Sequence, residues 1–469
     1  MSRNSNVIAD DESEEDLGAN DRLMQEDIIE VHEDSGDERM EDEEDDNTGF
    51  GGEIIIGGPG PGEDDAEMYT GQEDAAKQDN SWGSIFTLSL HPNFPRPSLA
   101  ITGGEDDVAY IFSPIPSASA SFSPVKLTGH TDSVVATGWN FDGGMVATGG
   151  MDGRVRVWRR AKPRKNSTDG QGKTGTDNTD WRDWEFLTSL DPGSEIQWLT
   201  WHPAGNVLAC GCEDSSVWLW KLPAGNTLTV LSSHTLPSTA GLFPPPLGRH
   251  LLTTSLDSTL ILWEISSSTS VFKASIFCPA NSPELDPSSH GITSLAVSPS
   301  GQLAAVGGAN GAVKLVNLTK GDVVADLKGH TEGESVEALV FVDLLAGAGG
   351  GKGMVLVSGG TDGKGFVWDV ATGRVRAELV HDEPITSLAS HPPPCLHLVT
   401  SASADSSLKT WDIRTGALLA THYGHTGIVN GVAVAQGSSS TDAEQVDTGQ
   451  VVVSAGDEGV SLIWQITQE

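Results

Sequence analysis

Short apolar runs recur along most of the chain, each closed by Gly, Asp, Ser or Pro: IFTLSLHP (85–92), VATGWN (135–140), VWLWKL (217–222), LILWEI (260–265) and LKTWDI (408–413). They are rich in β-branched and aromatic residues and too short for helices, so they read as strands. No stretch carries a convincing helical period, and the pattern predicts β-structure throughout residues 81–469. Ahead of that region only two apolar islands interrupt an acidic background, DIIEV at 27–31 and EIII at 53–56.

The strands belong to a repeat. Residues 102–112 read TGGEDDVAYIF and residues 148–158 read TGGMDGRVRVW: a small hydroxyl residue, an acid four positions on, and a large apolar residue six after that. The same spacing recurs in Thr253…Asp257…Trp263, Ser358…Asp362…Trp368 and Ser401…Asp405…Trp411. Cys210…Asp214…Trp220 substitutes a thiol, Ser454…Glu458…Trp464 a glutamate, and Val306…Asn310…Val316 is a worn copy. The acid slot falls at 106, 152, 214, 257, 310, 362, 405 and 458, and each interval holds about four strands. Four-stranded units at this period describe an all-β, eight-bladed β-propeller, whose radial closure protects sheet edges. Runs at 428–434, 451–456 and 460–466 supply only three strands to the last blade. The fourth is expected from a strand near 66–70, which divides the chain into an acidic tail over 1–65 and a propeller over 66–469 with blades from about 81. Turn-rich excursions at 159–182, 346–353 and 436–450 are read as loops.

Charge separates these two regions further. Residues 1–80 hold 28 Asp or Glu against 4 Lys or Arg, a net of −24; residues 81–469 hold 38 against 23, a net of −15. A segment such as ERMEDEEDDNTGFGG buries too little apolar surface to offset its ordering entropy, so the tail is predicted to be disordered. Its two islands are either docking motifs or plain disordered chain. No apolar run is long enough to span a bilayer and the N-terminus lacks a signal pattern, so a soluble, intracellular protein is expected; a monomer is expected, located in the cytoplasm with the nucleus as the alternative. RRAKPRK at 159–165 is either a nuclear-import signal or a solvated loop. Cys210, Cys212, Cys278 and Cys395 are too few and too scattered for a disulfide framework or a zinc site, and packed, reduced thiols are expected.

His, Ser and Asp recur in the repeats, the letters of a nucleophilic triad. A catalyst needs one site, whereas this set recurs several times with Trp attached and without a nucleophile elbow. An enzyme is therefore not expected. The glycine-rich TGGEDD and LAGAGGGKGM lack a phosphate-binding frame, and the acidic charge disfavours direct nucleic-acid binding. No cofactor or metal is implied.

The GH dipeptides at 129–130, 329–330 and 424–425, with Trp-Asp at 368–369 and 411–412, resemble WD repeats. That resemblance implies a buried hydrogen-bonded chain in each blade: His130, Thr148, Asp152 and Trp158; His330, Ser358, Asp362 and Trp368; His381, Ser401, Asp405 and Trp411. His234, Thr253, Asp257 and Trp263 form a set without the Gly, and His425, Ser454, Glu458 and Trp464 form a variant. Blade three lacks its His, and blade five lacks Asp and Trp.

The acidic tail with IIEV (28–31), TGGEDD (102–107), WLTWHP (198–203) and the eighth blade together resemble the group that includes angio-associated migratory cell protein and its fungal counterpart. The fungal member is a dedicated chaperone of a large-subunit ribosomal protein. This resemblance implies a ribosome-biogenesis role: capture of a basic ribosomal-protein tail on an acidic propeller face. The loops before the first strand and between the second and third strands of each blade gather on one face in such propellers. Here they hold Glu105, Asp106, Asp132, Glu195, Glu213, Glu332, Glu334, Asp382, Glu383 and Asp457. Trp198 is either blade core or a stacking platform for the ligand. Two other readings stay open: a general scaffold in signalling or trafficking, and a ubiquitin-ligase substrate receptor, the latter suggested by WDIR at 411–414.

Overall fold

The computed structural model describes residues 53–56, 83–115, 124–161, 181–277, 290–347, 353–437 and 449–466. They form eight four-stranded antiparallel sheets, each a blade of a propeller. Blade 2 is typical: Val134–Trp139, Met145–Gly150, Val155–Arg160 and Trp184–Leu190 pair in chain order from the axis outward. The innermost strands are neighbours around a closed ring, Ile85–Leu90 of blade 1 lying between Val134–Trp139 and Val429–Gln436 of blade 8.

Position in the blade explains the sequence pattern. A second strand is covered on both faces by adjacent blades, so MVATGG, LVTSAS and QVVVSAG are buried at every residue and use small or apolar side chains throughout. Outer strands such as Ala417–His422 are mostly exposed. The double glycine of the repeat has two separate steric duties. A Cβ on Gly149 would lie 2.7 Å from Ile196 of the next blade, and one on Gly150 would lie 2.6 Å from the His130 ring and from Asp152. The first glycine admits the neighbouring sheet; the second admits a His–Asp pair.

The closing strand differs from the sequence expectation. Glu53–Ile56 pairs antiparallel with Ser461–Ile466, in the register Glu53↔Trp464 to Ile56↔Ser461, and completes blade 8 in place of a strand at 66–70. This strand lies inside the stretch assigned to the tail, so the propeller begins at or before residue 53. The physical reason is propensity: three consecutive isoleucines suit an outer strand better than AEMYT. A longer connection to blade 1 adds little closure entropy. Residues 66–70, the remainder of the tail, the island at 27–31, Cys278, residues 162–165 of the basic run and most of the three loop excursions lie outside the described residues. No described helix is long and apolar enough to cross a membrane.

Blade 7 carries a polar chain through its sheet. His391 Nε2 lies 2.8 Å from Thr400 Oγ1, Thr400 lies 2.9 Å from Thr410, and Thr410 lies 2.9 Å from His422 Nε2. Burial lowers both histidines to about 4, with the nearby His422 and His397 adding to the effect at His391. A base whose folded value lies below its ordinary 6.5 contributes stability that is fully present above pH 6.5 and lost as the pH falls toward 4. Two tests follow from the fold. Urea unfolding at pH 7, 6 and 5 is expected to show stability falling by a few kcal/mol, since each tenfold difference in proton affinity between the unfolded and folded chain is worth about 1.4 kcal/mol; a flat profile would remove these histidines from that role. Deletion of residues 1–50 is expected to leave the melting temperature unchanged, while deletion of 1–58 lowers it by several degrees; equal melting temperatures would contradict closure by Glu53–Ile56.

Candidate partner-binding face

In every blade the start of the innermost strand pairs with the end of the second, as in Val134↔Gly150, Ile196↔Cys212, Val336↔Gly360 and Val429↔Gly456. The loops entering the first strand and leaving the second are thereby forced to the same end. One backbone bond ties them in all eight blades. The amides of Glu105, Met151, Glu213, Leu256, Ala309, Thr361, Ala404 and Asp457 donate respectively to the carbonyls of Ser84, Ser133, Glu195, Pro237, Gly291, Ser335, Pro384 and Ile428, at 2.8–3.1 Å. These sixteen positions form the rim around the axis.

Five blades reinforce the tie with side chains. In blade 7, Trp411 Nε1 donates to Ser401 Oγ (2.9 Å), which lies 2.7 Å from His381 Nε2, while His381 Nδ1 lies 2.8 Å from Asp405. Burial keeps His381 neutral. Burial pushes Asp405 up, but the Ser407 hydroxyl and His381 outweigh it and hold the carboxyl below its usual range. The assignment is therefore one-directional: Trp to Ser, Ser to His, and His Nδ1–H to carboxylate. Blade 6 repeats it through Trp368, Ser358, His330 and Asp362 at 2.9, 2.8 and 3.1 Å. In blade 4, Thr259 enters the chain: His234 Nδ1 lies 2.8 Å from its hydroxyl, which donates to Asp257, while Trp263 donates to Thr253.

Blade 2 departs from the expected set. His130 joins Thr148 (2.7 Å) and Asp152 (3.0 Å), but Trp158 sends no bond to Thr148; its ring stands edge-on to Phe186 at 5.9 Å. Packing against Phe186 has taken the place of the hydrogen bond. Blade 8 joins His425 to Ser454 (2.5 Å) and Glu458, with Trp464 tilted against both His425 and His422. Blades 1, 3 and 5 keep the backbone tie without a His–acid pair. Asp106 instead accepts from Tyr110 (2.7 Å), Asp214 from Ser216 (2.6 Å), and Asn310 from the Gly333 amide (2.8 Å).

All ten predicted face carboxylates, Glu105, Asp106, Asp132, Glu195, Glu213, Glu332, Glu334, Asp382, Glu383 and Asp457, are exposed and lie in loops at this one end. Six lie on blades 8, 1, 2 and 3 (Asp457, Glu105, Asp106, Asp132, Glu195 and Glu213) and four on blades 6 and 7 (Glu332, Glu334, Asp382 and Glu383); at the tied rim positions themselves, blades 8, 1 and 3 hold Asp457, Glu105, Glu195 and Glu213, whereas blades 4 to 7 hold Pro, Leu, Gly, Ala, Ser and Thr. Crowding is evident in the titration behaviour. Glu195 is raised above the usual carboxylate value by Glu213 beside it, with Asp132 adding to the effect, and Asp107 is raised by burial and then by Asp132 and Asp106. In blades 6 and 7 two cations are engaged elsewhere: Lys364 pairs with Glu378 (2.9 Å) and Lys409 Nζ donates to Val380 O (3.1 Å); in blade 2, Arg154 is exposed in the turn after the second strand.

Trp198 is not available to a ligand. It is 8% exposed and donates to Ser238 Oγ at 3.0 Å, wedged against Gly211 and Gly241, so it is core between blades 3 and 4. Arg414 of WDIR forms a bidentate pair with Asp412 of the same motif, at 2.7 Å for Nη2. Cys210, Cys212 and Cys395 are buried. Among the described residues, no group of three or more His, Cys, Asp or Glu is placed to hold a metal ion.

Asp405→Ala is expected to destabilise the propeller by roughly 1–3 kcal/mol, the usual cost of stranding buried polar partners. Asp382→Asn, at an exposed carboxylate in the same blade, should stay within about 0.5 kcal/mol. Equal melting temperatures for the two variants would show that Asp405 does not hold the turn.

Four segments, 122–159, 184–221, 282–317 and 373–412, match the WD domain, G-beta repeat family. An uncharacterized WD repeat-containing protein of Schizosaccharomyces pombe is 31% identical over 343 residues, covering 73% of this chain and 76% of that protein. Human angio-associated migratory cell protein is 28% identical over 369 residues, covering 76% and 74%. Ribosome assembly protein SQT1 of Saccharomyces cerevisiae is 25% identical over 436 residues, covering 87% and 92%. The crystal structure of Chaetomium thermophilum Sqt1 bound to the N-terminus of the ribosomal protein L10 superimposes with a TM-score of 0.63 at 26% identity, covering 82% of this chain and 97% of that one. With the repeat network, the eight blades and these relatives in agreement, the chain belongs to the WD-repeat family and is homologous to angio-associated migratory cell protein and Sqt1.

Proposed function

We propose that this protein is a ribosome-biogenesis factor that captures the basic N-terminal tail of a newly made ribosomal protein of the L10 type and escorts it to the large subunit. The observation that carries the reading is the carboxylate arc over blades 8, 1, 2 and 3, on a chain homologous to Sqt1. Before assembly, a basic ribosomal-protein tail binds nucleic acid and acidic surfaces indiscriminately. A concave acidic rim neutralises such a tail and accelerates its capture through long-range attraction. Like-charge crowding at Glu195 makes an incoming cation more favourable there, since it relieves repulsion already present, and at Asp107 burial is joined by repulsion from Asp132 and Asp106. On this reading the protein works as a monomer in the cytoplasm, with the nucleus as a second site, and does not contact nucleic acid directly; its net charge of −39 supports the last point.

The test uses the full chain and a synthetic L10 N-terminal peptide. Reversing Glu105, Asp132, Glu213 and Glu334 to Lys is expected to weaken binding by on the order of 3 kcal/mol, about a hundredfold in Kd, with the melting temperature retained. Wild-type affinity should fall as salt rises and as the pH is lowered toward the raised carboxyl values, because protonating those groups removes the attracting charge. Deleting residues 1–50 should leave binding in place. Unchanged affinity in the reversal variant, or binding that travels with residues 1–50 alone, would remove the rim from this role.

A further inference from the structure

The acidic arc is not purely acidic. Phe86, Met151 and Ile428, on the consecutive blades 1, 2 and 8, are 39%, 42% and 41% exposed at the rim end. Phe86 is the second residue of its innermost strand, at the register shift between Ile85 and Thr87. The same position in blades 2 to 8 is held by Val135, Gln197, Thr239, Thr293, Glu337, Thr386 and Asn430, so blade 1 alone presents an aromatic ring there. Ile428 occupies the rim carbonyl position at which other blades place Ser, Glu, Pro or Gly. Neither large side chain is required by the repeat.

Hydrogen bonds draw these residues and two carboxylates to the seam between blades 8 and 1. Asn430 Nδ2 donates to the Ile85 carbonyl at 3.0 Å, and Ser84 Oγ donates to Asp457 at 2.5 Å. The Ser84 amide donates to Glu105 Oε2 at 3.2 Å, and the Asp457 amide donates to the Ile428 carbonyl at 2.8 Å. Phe86 and Ile428 are thus flanked by Asp457 and Glu105. A single exposed apolar residue is ordinary on a protein surface, but an aromatic and two aliphatic side chains set among carboxylates on one concave rim are a place where apolar area awaits cover.

We infer that this seam selects one apolar side chain lying between basic residues in an extended ligand, with Phe86 and Ile428 receiving the apolar group and Glu105, Asp457 and Asp132 receiving the flanking cations. The inference rests on the acidic rim being the binding surface for a basic tail, and adds what that rim discriminates. Charge alone accepts any polybasic segment and fades with salt; an apolar contact survives salt and rejects segments that are only basic.

The experiment compares three five-residue peptides with the intact protein by fluorescence anisotropy, at low and moderate salt. Each carries two arginines at either end around a central Leu, Ser or Arg. The Leu peptide is expected to bind about tenfold more tightly than the Ser peptide, the effect of covering roughly half an aliphatic side chain. That ratio should persist at moderate salt while both affinities fall. The double substitution Phe86→Ser and Ile428→Ser, at exposed positions, should bring the ratio to about one by weakening binding of the Leu peptide. Equal binding of the Leu and Ser peptides to wild type overturns the inference without any variant, as does tightest binding of the Arg peptide at both salts. A ratio that survives the double substitution overturns the placement at Phe86 and Ile428. Failure of all three peptides to bind overturns both this inference and the acidic-rim reading beneath it.

Discussion

One backbone hydrogen bond per blade holds the architecture in register with its working face. It runs from the amide that opens the turn after the second strand to the carbonyl that precedes the innermost strand, and it is present in all eight blades. Both groups sit where loops would otherwise wander, and pairing them satisfies two polar groups at once. The buried His–Asp pair is a reinforcement of this tie, present in blades 2, 4, 6 and 7, with Glu in blade 8. Blades 1, 3 and 5 dispense with it and keep the same geometry, which explains how the repeat tolerates such wear. Because the tie fixes where each turn lies, it also fixes where each rim side chain is presented.

The repeat in the sequence is offset from the blade in space. A family segment such as 122–159 contains the outer strand of blade 1 and the three inner strands of blade 2. Three of the four matched segments, 122–159, 184–221 and 373–412, therefore staple two neighbouring blades. At the ring's end the offset leaves blade 8 short of an outer strand, and Glu53–Ile56 supplies it from the far side of the sequence. Closure joins residues remote in the chain at the cost of ordering only four of them.

On the proposed reading, the rim combines two kinds of recognition on one scaffold. Carboxylates of blades 8, 1, 2 and 3 act at a distance and are weakened by salt, while Phe86, Ile428 and Met151 act only in contact. The tied rim positions of blades 4 to 7 are uncharged, with Glu332, Glu334, Asp382 and Glu383 beside them in blades 6 and 7. A rigid disc suits such work: its rim loops are tied, so little conformational entropy is lost when a flexible tail orders itself upon them.

Much was legible in the sequence because it depends on local spacing. The eight acid slots, the strand lengths and the His–hydroxyl–Asp–Trp grammar each arise within one repeat, and a buried polar group dictates its partners at fixed offsets. The ten face carboxylates could be placed at one end for the same reason: antiparallel pairing sends the two loop types to a common edge. What local spacing does not carry is the relation between repeats. That Glu53–Ile56 and not residues 66–70 completes blade 8 depends on which strand best fits an edge built at the other end of the chain. Trp158 turning to Phe186, and Trp198 settling between Gly211 and Gly241, were decided by neighbours brought close only by folding. The clustering of acid toward four blades, and of Phe86 with Ile428 at the closing seam, likewise belongs to the ring, because circular closure makes neighbours of blades 1 and 8, the two most distant in sequence.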